Sequence, residues 1–96
     1  MIHLKTEKDI AEMRQGGRIL ASVLDDVIKN VQAGITTYEL DRIAEMRILD
    51  AGCKPAFQGY RASPQDSPFP STLCTSLNDE VVHGIPSKDV VLKNGD

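Results

Sequence analysis

Phe69-Pro70-Ser71-Thr72-Leu73-Cys74-Thr75-Ser76-Leu77-Asn78, running on through Asp79-Glu80-Val81-Val82-His83-Gly84-Ile85-Pro86, decides how this chain is read. Leu73, Thr75 and Leu77 alternate with Thr72, Cys74 and Ser76. That two-residue period predicts a strand over Ser71 to Leu77. Val81-Val82 is a β-branched pair, and the Gly-Ile-Pro that closes the stretch is a turn. His83 stands between them. Histidine side chains titrate near neutrality, which suits a proton or hydrogen-bond donor on a cleft wall. On the residues alone, a turn histidine bonded to backbone is the commoner case. Gly84 permits close backbone approach and Pro86 fixes the exit direction.

Upstream the period is helical. Thr6 with Asp9 is a loose capping-box signal. Ile10, Met13, Gly17, Leu20, Leu24, Val27 and Val31 then recur at spacings of three and four, one apolar stripe on a helix of about six turns ending at Gly34. Gly16-Gly17 inside that helix costs about 1 kcal/mol per residue relative to Ala, which close approach of another backbone would offset. Thr36 and Glu39 open a second helix with a T-x-x-E box, and Leu40, Ile43, Ala44 and Ile48 or Leu49 form its buried face. Gly52 stops it. Cys53 to Tyr60 is a short extended segment, Arg61 to Pro68 a Ser/Pro-rich surface loop, and Val90-Val91-Leu92 a last apolar run before Gly95-Asp96.

Two helices followed by two or three short strands is an α+β order. The strands are too few to close a sheet, so residues 1–96 are expected to be a single partial domain. A chain of 96 residues buries a modest core. Its 41% apolar and 26% charged content argues against disorder. The net charge of −3, with Lys and Arg scattered, gives no footprint for nucleic acid or an anionic membrane. The charged N-terminus has no apolar secretory core, and no segment approaches the ~20 apolar residues of a membrane span. Cys53 and Cys74 form no scaffold or CxxC pair, so reduced thiols in a cytoplasm are expected.

Other chemistry is thin. Glu80-Val81-Val82-His83 has the E-x-x-H spacing of some helical metal sites, but Val81-Val82 with Gly84 and Pro86 resists a helix. Asp79 and Glu80, adjacent on an extended chain, point to opposite sides and make a poor acid/base pair. Nothing near Cys74 in the sequence lowers its pKa, which favours a buried thiol or a pocket wall over a nucleophile.

Several segments in order resemble the type I methionine aminopeptidases. Pro55-Ala56-Phe57-Gln58-Gly59-Tyr60 is similar to that family's P-S-F-x-G-Y, and Phe69 to Asn78 to its F-P-x-S-x-C-x-S-x-N. Val81-Val82-His83-Gly84-Ile85-Pro86 matches V-V-H-G-I-P, Leu92 to Asp96 matches L-x-x-G-D, and Leu40-Asp41 with Ala44 and Gly52 resembles its second helix. The resemblance implies the N-terminal half of a pita-bread (creatinase/aminopeptidase) fold, with short antiparallel strands after the helices. It implies removal of the initiator methionine from nascent polypeptide N-termini, at the ribosome, by a cytoplasmic monomer. Phe57, Tyr60, Phe69 and Cys74 would line the methionine pocket. Aromatic rings and a soft sulfur suit a thioether. His83 would act both in catalysis and in binding, by hydrogen-bonding the scissile peptide, and Asn78 would belong to a monovalent-cation site.

The family's two divalent metal ions (Co, Mn, Fe, Zn or Ni) are held by two Asp, one His and two Glu, all beyond the Gly-Asp that closes this sequence. No residue here is therefore expected to ligate metal, and the 96 residues alone are expected to be inactive. The Arg61 to Pro68 loop is longer than the family's usual connection, which could shift the pocket wall at Phe69. A related enzyme acting on X-Pro bonds and a non-catalytic pita-bread module that binds peptides or partners are the alternatives. A truncated sequence without independent function is a third. Phe57, Tyr60 and Cys74 favour the methionine enzyme over the X-Pro one.

Overall fold

Thr6 opens the first helix with a complete capping box: its hydroxyl accepts from Asp9 N–H at 3.1 Å, and the Asp9 carboxylate accepts from Thr6 N–H at 2.9 Å. The computed structural model, which describes residues 1–96, places α1 at Glu7–Lys29 and α2 at Thr37–Asp50. At α2 the box is half made, the Thr36 hydroxyl accepting from Glu39 N–H at 3.0 Å. The looser of the two sequence signals thus gives the fuller cap.

α1 stops at Asn30, short of the expected Gly34. The Asn30 amide donates to the Asp26 carbonyl at 2.8 Å while its backbone N–H bonds Val27, and this local alternative ends the helix. α2 ends in a Schellman turn. Gly52, at φ +78°, bonds back to Leu49, and Cys53 N–H reaches the Ile48 carbonyl.

The core lies between the helices. Val23 and Val27 of α1 meet Leu40 and Ala44 of α2, with Ile19, Ile35, Ile43, Ile48, Leu73 and Leu92 packed around them. The Arg47 guanidinium and the Asp26 carboxylate pair across the helices at 3.2 Å. Only Val27 of the apolar stripe read from the sequence is buried. Ile10, Met13, Leu20, Leu24 and Val31 are 44–63% exposed. The face that meets α2 is one edge of that stripe, Ile19–Val23–Val27, at the four-residue spacing of a single helix side. Gly16 and Gly17 do not serve a close approach either, since nothing lies within 4 Å of a Cβ built at either position.

The expected antiparallel strands do not form. Ser71 to Leu77 has no ladder, and the one bridge is an isolated antiparallel pair, Thr36 with Val91. The reason lies in where the donors go. Thr72 and Leu73 N–H give to the Asp41 carboxylate, Leu77 N–H to Glu80, and Gly84 N–H to the Ser76 hydroxyl. Pro68, Pro70 and Pro86 have no N–H to give. One backbone pairing joins the two signature segments, Thr75 N–H to the Gly84 carbonyl at 2.8 Å.

The radius of gyration is 15.4 Å, against about 13 Å for a closed domain of this length. The chain is spread and flat, 45 × 34 × 23 Å. No helix is long and apolar enough to cross a membrane.

Candidate functional site

Three backbone bonds gather the aromatic residues. Gly59, at φ +80°, donates to the Phe69 carbonyl at 2.8 Å, Phe69 N–H to Tyr60 at 2.9 Å, and Tyr60 N–H to Phe57 at 2.9 Å. The loop between them is ordered by its own side chains. Asp66 accepts from Ser63 N–H at 2.9 Å and returns its N–H to the Ser63 carbonyl, while the Arg61 guanidinium donates to Pro64 at 3.4 Å.

His83 enters from the other side. Gly84 beneath it is buried and lies so close to Thr75 that a Cβ there would overlap the Thr75 carbonyl and sit 2.9 Å from Ser76 Cα. Close approach at Gly84 was legible in the sequence. His83 itself has φ +60°, a left-handed backbone that a Cβ-bearing residue adopts at a cost of about 1–2 kcal/mol. Strain of this kind collects at functional positions.

Phe57, Tyr60, Phe69, Cys74 and His83 together line one hollow of about 410 Å³. Ile85 completes its apolar wall, and Arg61, Ala62, Asp66 and Ser67 close the rim. That volume is in the range of small-ligand clefts, with a mainly apolar lining and a few polar groups. The hollow is open-sided: Phe57 is 58% and Tyr60 57% exposed. Cys74 is an exposed free thiol, so of the two readings its position offers, a buried thiol or a pocket wall, the structure shows the wall.

The loop Arg61 to Pro68, expected to lie on the surface and to bear on the pocket wall only through Phe69, itself supplies four lining residues. The S-x-x-D spacing of Ser63 and Asp66 is the signal that could have marked it as a fixed turn.

Asn78 lies apart, in a second hollow of about 480 Å³ that shares Cys74 with the first. Its backbone is also left-handed, φ +52°, and its amide donates to the Asp96 carboxylate at 3.1 Å. Asp96 also accepts from Lys93 N–H at 2.8 Å. That backbone bond first, and the Asn78 amide second, hold its carboxyl below the ordinary 3.8.

No group of three or more His, Cys, Asp or Glu side chains comes together in a way that could hold a metal ion. These residues do not fit a metal centre, and what they can do chemically is bind an apolar group and offer a histidine beside it.

Residues 11–96 match the family described as metallopeptidase family M24. The methionine aminopeptidase of Aquifex aeolicus is 43% identical over 95 residues, 99% of this chain and 37% of that protein. That of Clostridium acetobutylicum is 44% identical over 96 residues, 100% of this chain and 36% of its own length. The crystal structure of methionine aminopeptidase from Rickettsia prowazekii matches with a TM-score of 0.89 at 38% identity, over 99% of this chain and 36% of that one. The chain thus spans a little over a third of the length of the relatives it matches.

Proposed function

The chain belongs to metallopeptidase family M24, and from that membership we propose that it is the methionine-receiving part of a methionine aminopeptidase with the pita-bread fold. The observation that carries this reading is the meeting of Phe57, Tyr60, Phe69, Cys74 and His83 around one hollow, from three segments separated in sequence. The rings and the thiol offer a polarizable surface to an unbranched thioether. The His83 imidazole, on its strained turn, donates a hydrogen bond to the scissile peptide and favours its negatively charged transition state.

Divalent metal ions supply the nucleophile in such hydrolysis. In this reading the contribution of these 96 residues is binding and orientation. The substrate is the N-terminus of a nascent polypeptide, met in the cytoplasm.

The test is an NMR titration of the isotope-labelled chain with L-methioninamide, with L-alaninamide as comparator. Saturable shifts at Phe57, Tyr60, Phe69, Cys74 and His83 with the first and not the second are expected. Equal shifts with both amides, or none with either, would sink the reading.

A further inference from the structure

Two polar residues on the buried face of α2 are not used by the hollow itself. Thr37 is 1% exposed and Asp41 is 6% exposed. They stand four residues apart, one turn, so they share a side of the helix about 6 Å from each other.

Each holds one of the two segments that bring Cys74 and His83 to the hollow. The Asp41 carboxylate has no cationic partner. Its Oδ1 accepts from Thr72 N–H at 2.9 Å and Leu73 N–H at 2.7 Å, just before Cys74. Thr37 Oγ1 accepts from Ser87 N–H at 2.9 Å and donates to the Ser87 carbonyl at 3.2 Å, just after His83-Gly84-Ile85-Pro86. Between these anchors the segments bind each other through Thr75 with Gly84 and Ser76 with Gly84. The result is a closed triangle: helix to Cys74 segment, Cys74 segment to His83 segment, and back to the helix.

We infer that Thr37 and Asp41 are positioning residues, whose one-turn separation on α2 sets the spacing and register of Cys74 against His83 across the hollow. The geometry has a clear logic. A helix turn is a rigid ruler, and the extended segments, lacking a ladder, have no sheet to fix their register. A buried carboxylate accepting two amides and a hydroxyl bonding both polar groups of one residue leave little freedom at either anchor. The inference rests on the proposed use of the hollow only for its functional consequence.

Thr37→Val and Thr37→Ser, with Asp41→Ala and Asp41→Asn, test it in the 96-residue chain. Two readouts are needed: nuclear Overhauser contacts between the Cys74 and His83 segments, and affinity for L-methioninamide. In Thr37→Val and Asp41→Ala the cross-segment contacts should change and affinity fall by about tenfold, with helix content by circular dichroism unchanged. Thr37→Ser should restore both, because it restores the hydroxyl. Unchanged contacts in Thr37→Val and Asp41→Ala would overturn the inference, as would Thr37→Ser behaving like Thr37→Val. If Thr37→Val or Asp41→Ala unfolds, the near-isosteric Asp41→Asn decides. It keeps the shape but gives up the charge-assisted bonds to Thr72 and Leu73, so changed cross-segment contacts are expected and unchanged ones overturn the inference. Should the unsubstituted chain bind no methioninamide, the proposed function fails while the contacts still decide the positioning role.

Discussion

Thr75 donates its N–H to the carbonyl of Gly84 at 2.8 Å, with no room between the two backbones for a side chain at position 84. Gly84 is not among the glycines with positive φ, so its requirement is for space. Gly84→Ala is expected to push the His83 segment away from the Cys74 segment and to destabilise by roughly 1–3 kcal/mol, the scale of overpacking. Urea unfolding measures it. A midpoint equal to that of the parent chain would contradict the close approach.

Gly16 and Gly17 are the opposite case. They sit inside α1 with open space around them. Replacing either with Ala should raise stability by about 0.5–1 kcal/mol, from helix propensity alone. Loss of stability in thermal or urea unfolding would show a packing role that the geometry denies.

His83 at φ +60° makes a sharper demand. His83→Gly is expected to stabilise the fold by roughly 0.5–1 kcal/mol, the relief of about 1–2 kcal/mol of left-handed strain less the glycine's extra unfolded-state entropy. The same change removes the imidazole from the hollow. Unfolding and methioninamide titration, run together, should move in opposite directions, a trade of stability against binding.

Asp9 and Asp96 set an acid limit. The Thr6 backbone bond chiefly holds Asp9 below the ordinary 3.8, as the Lys93 backbone bond does Asp96. A carboxyl whose folded pKa is lowered contributes stability above its unfolded value and loses it as pH falls through the folded one. The Thr6 cap and the Lys93–Asp96–Asn78 turn should therefore both hold at pH 5 and loosen as pH falls below about 3.8. Both groups are exposed, so the effect is local. Carboxyl NMR titration with the Thr6 and Lys93 amides as reporters checks it, and a midpoint at or above 3.8 would refute it.

The helices were legible because their signals are local: Thr6–Asp9, Thr36–Glu39 and Gly52 each act within one turn. The exit of α1 was misread because the side chain of Asn30 outcompeted the glycine four residues on. The strands were misread because alternation reports which way side chains point and not where amides find acceptors. Thr72 and Leu73 spend theirs on Asp41, 31 and 32 residues away, a pairing that no window of sequence contains. Of the five residues of the hollow, His83 and Cys74 have a signal in the residues themselves, while Phe57, Tyr60 and Phe69 come from the family resemblance. Asp41 is part of that resemblance without a role, and Thr37 has no part in either. Polar residues at i and i+4 beside Leu40 and Ala44, on a face otherwise apolar, were the available signal.

The first turn of α2 has a consequence in time. Its free N–H groups at Thr37 and Tyr38 are satisfied by the carbonyls of Val90 and Ser87, some fifty residues downstream. In a chain made from its N-terminus, α1 can close its capping box and α2 can form its Schellman turn soon after Cys53 appears. The start of α2 cannot be completed until Ser87 to Val90 arrive. The helix that rules the hollow is therefore finished last at its own beginning, and the two walls lock only when synthesis has passed both of them.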